Sequence, residues 1–310
     1  MSASVALPVT AQPPLRPAAD ATPQHAAWAG YAALAVTVLI WAGFFLSLRA
    51  GARAHLAPSE LAAIRFAPAG LAFLPVLWLR RRRIAAVPWP LLLSILAGSG
   101  LPYFLIAGLG MRHAPVVDGS TLIPGTIPLF VALLGALVYR QPLPAGRGGA
   151  LAAIAAGVAV LLAFNHGAGE VWRGYALFLL GSLMWANFTV ALRRSGLAPI
   201  EGAALISTGS LALLAPWLLL HPPIGLAALP AAELWFHGLV QGVGVGFVAS
   251  LTYAFAIARL GAQRPAAAGA LTPVLAGLLA VPLFGEIPSA ATLLGMALIV
   301  AGVVWVHRSH

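Results

Sequence analysis

Of the chain's 310 residues, 61% are hydrophobic and 8% charged, against the roughly 25% charged residues of a soluble domain. A water-soluble fold of that composition would expose more apolar surface than such folds tolerate, so the expected solvent is lipid. The formal charge of +10 comes entirely from Arg, scattered along the chain apart from one run at 80–83, which leaves no basic domain for a nucleic acid to dock on.

Taken in chain order, positions 1–27 are rich in Ala, Pro, Thr and Gln and read as a mobile cytoplasmic tail. They are not expected to be a secretory signal, because the first apolar run starts near Trp28 and is too long for a signal core. Apolar runs of about 20 residues, enough to cross a hydrocarbon core, then predict helices near 28–48, 59–79, 88–110, 114–138, 147–164, 172–192, 199–219, 234–258, 264–284 and 289–307. The fold class is thus all-α integral membrane with ten transmembrane helices. Placing both termini inside puts twelve Arg in cytoplasmic segments and four (Arg49, Arg53, Arg112 and Arg173) outside, with Arg65 inside a helix. That bias sets an N-in, C-in orientation. Heavy use of Ala, Gly, Pro and Arg without Lys or Cys fits a G+C-rich bacterium and its inner (plasma) membrane, and the missing Cys excludes disulfides and thiolate metal sites.

The chain repeats itself. Gly30, Tyr31, Ala32, Trp41, Ala42, Phe44 and Arg49 recur 144 residues later as Gly174, Tyr175, Ala176, Trp185, Ala186, Phe188 and Arg193. Ala57, Pro58 and Glu60 recur as Ala198, Pro199 and Glu201, and Pro128, Ile154, Gly157 and Val158 as Pro273, Ile299, Gly302 and Val303. Two five-helix units are expected, 28–164 and 165–307. Because five is odd, the second enters the membrane from the opposite side, giving inverted repeats of the kind that exchange conformations around a central site.

The Trp-Ala-Gly-Phe run at 41–44 and its counterpart at 185–188, Pro58 followed by Arg65, Thr272-Pro273 and the Leu283-Phe284-Gly285-Glu286 ending, with the closing Gly295 to Val303 stretch, resemble the EamA family of the drug/metabolite transporter superfamily. The resemblance covers about 28–307. It implies ten helices in two inverted repeats, a central cavity and export of small metabolites, amino acids or toxic organic compounds. One departure stands out: the family often ends the fourth helix of each repeat in Glu, and here Gln141 takes the place that Glu286 fills in the second half.

Several polar or aromatic residues at membrane depth are candidates for substrate contact. Arg65 is costly in the bilayer, about 2.5–3.5 kcal/mol on insertion scales, so it clamps an anionic group, snorkels, or pairs with Glu60 or Asp118. Asp118 binds a cation, exchanges a proton, or serves as a helix-start residue. Trp41 and Trp185 are too deep for the headgroup belts and line a cavity or pack between helices. Asn187, Gln241 and the pair Tyr103 and Tyr253 contact solute or make interhelical hydrogen bonds. Pro124, Pro128, Pro273 and Pro282 remove backbone donors inside helices and are candidate hinges. Gly242, Gly244 and Gly246 lack the strand and acid of a nucleotide fingerprint and read as close packing. Eight His without metal spacing, and no nucleotide motif, leave no cofactor or metal expected, and transport that is passive or driven by an ion gradient, protons first. The partners implied are a small-molecule substrate and membrane lipid. The oligomeric state is open, a homodimer being one arrangement. Two rivals remain: an integral-membrane enzyme using Ser99 with His237 as base, and a membrane assembly subunit that transports nothing.

Overall fold

The computed structural model describes residues 24–138, 140, 146–165, 169–261 and 263–308, all helical or connecting turns. Most of the predicted tail, and Gln141, lie outside the described residues. The helices are α1 (Gln24–Arg53), α2 (Pro58–Ala85), α3 (Trp89–Ser99), α4 (Leu101–His113), α5 (Val116–Leu137), α6 (Gly148–Asn165), α7 (Val171–Ser195) and α8 (Pro199–Leu220). After the single turn α9 (Ile224–Ala227) come α10 (Ala231–His237), a π-helical stretch Gly238–Val248, α11 (Ala249–Leu260), α12 (Gln263–Ala268), a 3-10 turn Gly269–Leu271, α13 (Thr272–Phe284) and α14 (Ala290–Arg308). Eight helical spans are long and apolar enough to cross a membrane, while Gly148–Phe164 and Gly269–Phe284 are apolar but shorter. Large side chains face outward along these spans, among them Leu79, Leu219 and Leu278. This is the surface of a multi-pass membrane protein, whose backbone groups satisfy one another within helices because lipid cannot.

The internal repeat is visible in the packing. The α2–α8 pair runs antiparallel, since Gly70 meets Ser207 and Leu211 while Arg83 lies 3.4 Å from Glu201 at one end and Gly225 N–H donates to Glu60 Oε1 at the other, 2.7 Å. Both α2 and α8 begin with the same cap, in which Ala57 N–H donates to Glu60 Oε2 and Ala198 N–H to Glu201 Oε2, each at 2.8 Å. Along α6 and α14, also antiparallel, a Cβ at Gly157 would fall 2.6 Å from Ile299, and one at Gly302 2.7 Å from Ile154. Residues equated by the sequence repeat thus exchange places across the same contact. Likewise α1 packs on α11 and the π-helical stretch, as α7 packs on α3 and α4. Matched helices that run in opposite directions and swap partners are what a twofold relation between the halves produces.

Three predicted helices are interrupted. The third breaks at Gly100 (φ −95°, ψ −148°), and the N–H that follows, on Leu101, donates to Ser210 Oγ on α8 at 2.9 Å. Such a substitute partner is needed wherever a helix opens inside lipid. The eighth passes through the π-helical stretch, a wider coil than the α-helix. There Gly242 lies against Ile64 O and Pro68, and Gly244 against Ile40. The close packing expected of these glycines is present. The ninth breaks at the 3-10 turn, so Pro273 is not inside a helix as predicted but in the first turn of α13, where its missing N–H has no intrahelical partner to lose. Pro124, Pro128 and Pro282 are interior as expected.

Candidate functional site

A cavity of about 400 Å³ sits between the halves, within the roughly 300–1,000 Å³ usual for small-molecule sites. Its wall draws on α1 to α5, α7, α11, α13 and α14, with the π-helical stretch and the 3-10 turn. Five of the predicted contact residues meet there: Trp41, Arg65, Tyr103, Trp185 and Tyr253. The aromatic four form two pairs. Trp41 of α1 tilts against Tyr253 of α11, ring centroids 5.1 Å apart, and Trp185 of α7 stands edge-on to Tyr103 of α4 at 5.0 Å. Each pair joins a Trp of one half to a Tyr of the other, and exchanging the halves turns one pair into the other. Such tilted and edge-on pairs are favourable ring geometries, worth about 0.5–1.5 kcal/mol each beyond their burial.

Arg65 enters from α2. Its Nη1 donates to the backbone carbonyl of Gln241 at 3.4 Å, and the guanidinium lies beside Gly246, where a Cβ would come 3.7 Å from it. Neither acid that the sequence offered as partner reaches it. Glu60 is held by the N–H groups of Ala57 and Gly225. Asp118 accepts from Tyr175 Oη at 2.9 Å.

The other predicted contacts lie apart from the cavity wall. Asp118 is buried in the first turn of α5 behind Tyr175, its second oxygen without a hydrogen-bond partner among the described residues. Gln241 is fully buried, its amide donating to Phe44 O at 3.3 Å, and its backbone rather than its side chain serves Arg65. Asn187 is half-buried on α7, outside the wall. Among the candidate hinges Pro124, Pro128 and Pro273 line the cavity and Pro282 does not. Ser99 also lines it, whereas the base proposed for it, His237, is 2.8 Å from Ser47 Oγ through Nδ1.

Among the hydroxyls of the wall that sequence reading missed are Thr121 on α5 and Thr272 on α13. Both are buried and, among the described residues, without a hydrogen-bond partner. The signal was available: each lies within a turn of a cavity proline, Pro124 inside α5 or Pro273 at the start of α13.

The two ends of the cavity differ. At the end that carries Glu286, Arg49 Nε donates to Glu286 Oε1 at 2.6 Å and Val116 N–H to Glu286 Oε2 at 2.9 Å. Arg49 also donates to Met111 O at 2.6 Å. One carboxylate thereby ties α13 of the second half to α1 and α5 of the first. Toward the opposite end the wall continues to Thr189 and His307.

The model of the EamA-like transporter family matches residues 28–163 and 172–308. A probable terminal-alkyne amino-acid exporter of Streptantibioticus cattleyicolor is 28% identical, covering 89% of this chain and 92% of its own. The aromatic amino acid exporter YddG of Ancylobacter novellus is 29% identical over 69% of this chain and 75% of its own. The uncharacterized inner membrane transporter YedA of Escherichia coli is 28% identical over 89% and 90%.

Proposed function

The chain belongs to the EamA-like transporter family, and from that premise we propose that it is a secondary transporter exporting a small metabolite, such as an amino acid or related organic compound, by alternating access. The observation that carries the reading is the central cavity, walled by both halves through the exchanged Trp–Tyr pairs. A site on the axis between two matched halves can be offered to either face as the halves rock. The two relatives named as amino-acid exporters supply the solute class and direction.

The shorter apolar helices Gly148–Phe164 and Gly269–Phe284 complete ten spans in this reading, as two inverted units, 28–164 and 165–307, with both termini inside. Gly148–Phe164 packs along α14, a full-length span and its own counterpart in the other half. The Arg asymmetry then puts the Glu286 end outside, in the inner membrane of a bacterium, in keeping with the name of YedA. Proton exchange is the coupling we favour. The family and the exporter relatives favour transport over an enzyme or a passive assembly subunit.

Exchange in proteoliposomes tests this. Vesicles preloaded with an unlabelled amino-acid mixture should take up labelled amino acid only when the protein is present. Trp41→Ala combined with Trp185→Ala should slow that exchange at least tenfold while inserting normally. Absence of protein-dependent exchange for every amino acid and related metabolite tried would remove the transport reading.

A further inference from the structure

Resting on that transport reading, we infer that the cavity selects solutes bearing a carboxylate, which Arg65 receives, and rejects organic cations of the same shape. Among the described residues, Arg65 is the one Arg or Lys in the wall, and no Asp or Glu lines it. Every acid among the described residues is engaged or placed elsewhere. Glu60 and Glu201 cap α2 and α8, Asp118 holds Tyr175, Glu170 pairs with Arg173 and His113, Glu286 ties Arg49 and Val116, and Glu233 is exposed on α10. An ammonium group entering the cavity would meet a cation and no counter-charge.

A carboxylate would meet the opposite. A guanidinium carries five N–H donors, and among the described residues a single long contact, to Gln241 O at 3.4 Å, uses one of them. A charged Arg in a membrane-spanning segment faces a partner or a wet cavity, and planar, forked donors match the two oxygens of a carboxylate. Thr121 and Thr272, one from each half, stand in the same wall with hydroxyls that are buried and, among the described residues, unpartnered.

The position of the charge also orients the solute. The aromatic pairs obey the twofold relation, but Arg65 does not, because the spacing that matches Glu60 to Glu201 brings it to Ile206. One side of an otherwise symmetric chamber is therefore cationic. The anionic group belongs on the α2 side, with the apolar body between the Trp–Tyr pairs, where flat rings find flat walls. An amino acid satisfies this through its carboxylate, its ammonium resting on aromatic faces.

Three molecules of one shape separate the alternatives: 3-phenylpropanoate, L-phenylalanine and 2-phenylethylamine, each added to the detergent-purified full chain at equal concentration and ionic strength. A ligand of the folded state raises the melting temperature by mass action. The acid and the amino acid should raise it and the amine should not. Arg65→Gln should weaken the acid response at least tenfold in concentration, with part of it recovered in Arg65→Lys. No response to the acid, an equal response to the amine, or an unchanged acid response in Arg65→Gln would each overturn the assignment. The comparison of acid with amine uses the parent chain and so stands even if a variant folds poorly. Proteoliposome exchange with the same three molecules keeps the two readings apart. Exchange of the amine alone would leave a carrier without this selectivity, and binding of the acid without exchange would leave the selectivity without a carrier.

Discussion

Glu286→Gln should open the protein at the end that carries this carboxylate. The carboxylate accepts from Arg49 Nε and from Val116 N–H and lies 4.0 Å from Arg53. The side chains of Arg49 and Glu286 are 17% and 10% exposed, so solvent screens the pair little. Hydrogen bonds to charged groups contribute about 1.5–3 kcal/mol each. Gln keeps an acceptor for Val116 but loses the charge, and a loss of about 2 kcal/mol would shift the closed-to-open ratio roughly 30-fold. The opposite end has no charged counterpart of this tie in the sequence, because Arg193 stands where Arg49 does but Gln141 stands where Glu286 does. Opening should therefore be one-sided. With no native Cys, spin labels on His55→Cys of the first half and Ile287→Cys of the second, both exposed at this end, report the separation directly. The variant should populate a longer distance than the parent, and an unchanged distribution would show that the carboxylate does not hold the closure.

A second large effect is expected where α6 crosses α14. A Cβ at Gly157 would lie 2.7 Å from Gly295 O, and one at Gly302 2.8 Å from Ala150 O, in each case against backbone that cannot turn aside. Inserting bulk into a packed contact costs about 1–3 kcal/mol, occasionally more, and here the helices themselves must separate. Gly157→Leu and Gly302→Leu should both deplete monodisperse protein in size-exclusion profiles, to a similar extent because the two contacts are matched. Gly148→Leu is the control, since nothing lies within 4 Å of a Cβ there. Tolerance of either crossing substitution at parental yield would contradict the tight antiparallel contact.

Much of this architecture was legible in the sequence because lipid imposes it. A span must be long and apolar, so the runs at 59–79 and 172–192 announce α2 and α7. Duplication leaves residues at fixed offsets, so Trp41 with Trp185 and Tyr103 with Tyr253 could be matched before any contact was known. What the sequence does not carry is the partner. The break at Gly100 depends on Ser210, 110 residues away in the chain, and the π-helical coil at Gly238–Val248 follows from the fit of its glycines against α1 and α2. Asp118 has the chemistry of a cavity acid but lies behind Tyr175. Arg65 was recognised as costly, yet its open donors become evident only when Glu60 and Asp118 are seen to be engaged elsewhere. Thr121 and Thr272 escaped notice because a hydroxyl in an apolar run ordinarily bonds to its own helix, as Thr126 does with Leu122 O.

Access to the chamber from both faces of the membrane can be read from one introduced thiol. Ser99 lines the cavity, and Ser99→Cys, a small change, would give the only Cys in the chain. Membrane-impermeant maleimide applied to vesicles of either orientation should label position 99 from the inner face and, more slowly, from the outer face, with a bound solute suppressing both. Labelling from one face alone, in the parent background and with Glu286→Gln alike, would contradict a site shared by two rocking halves.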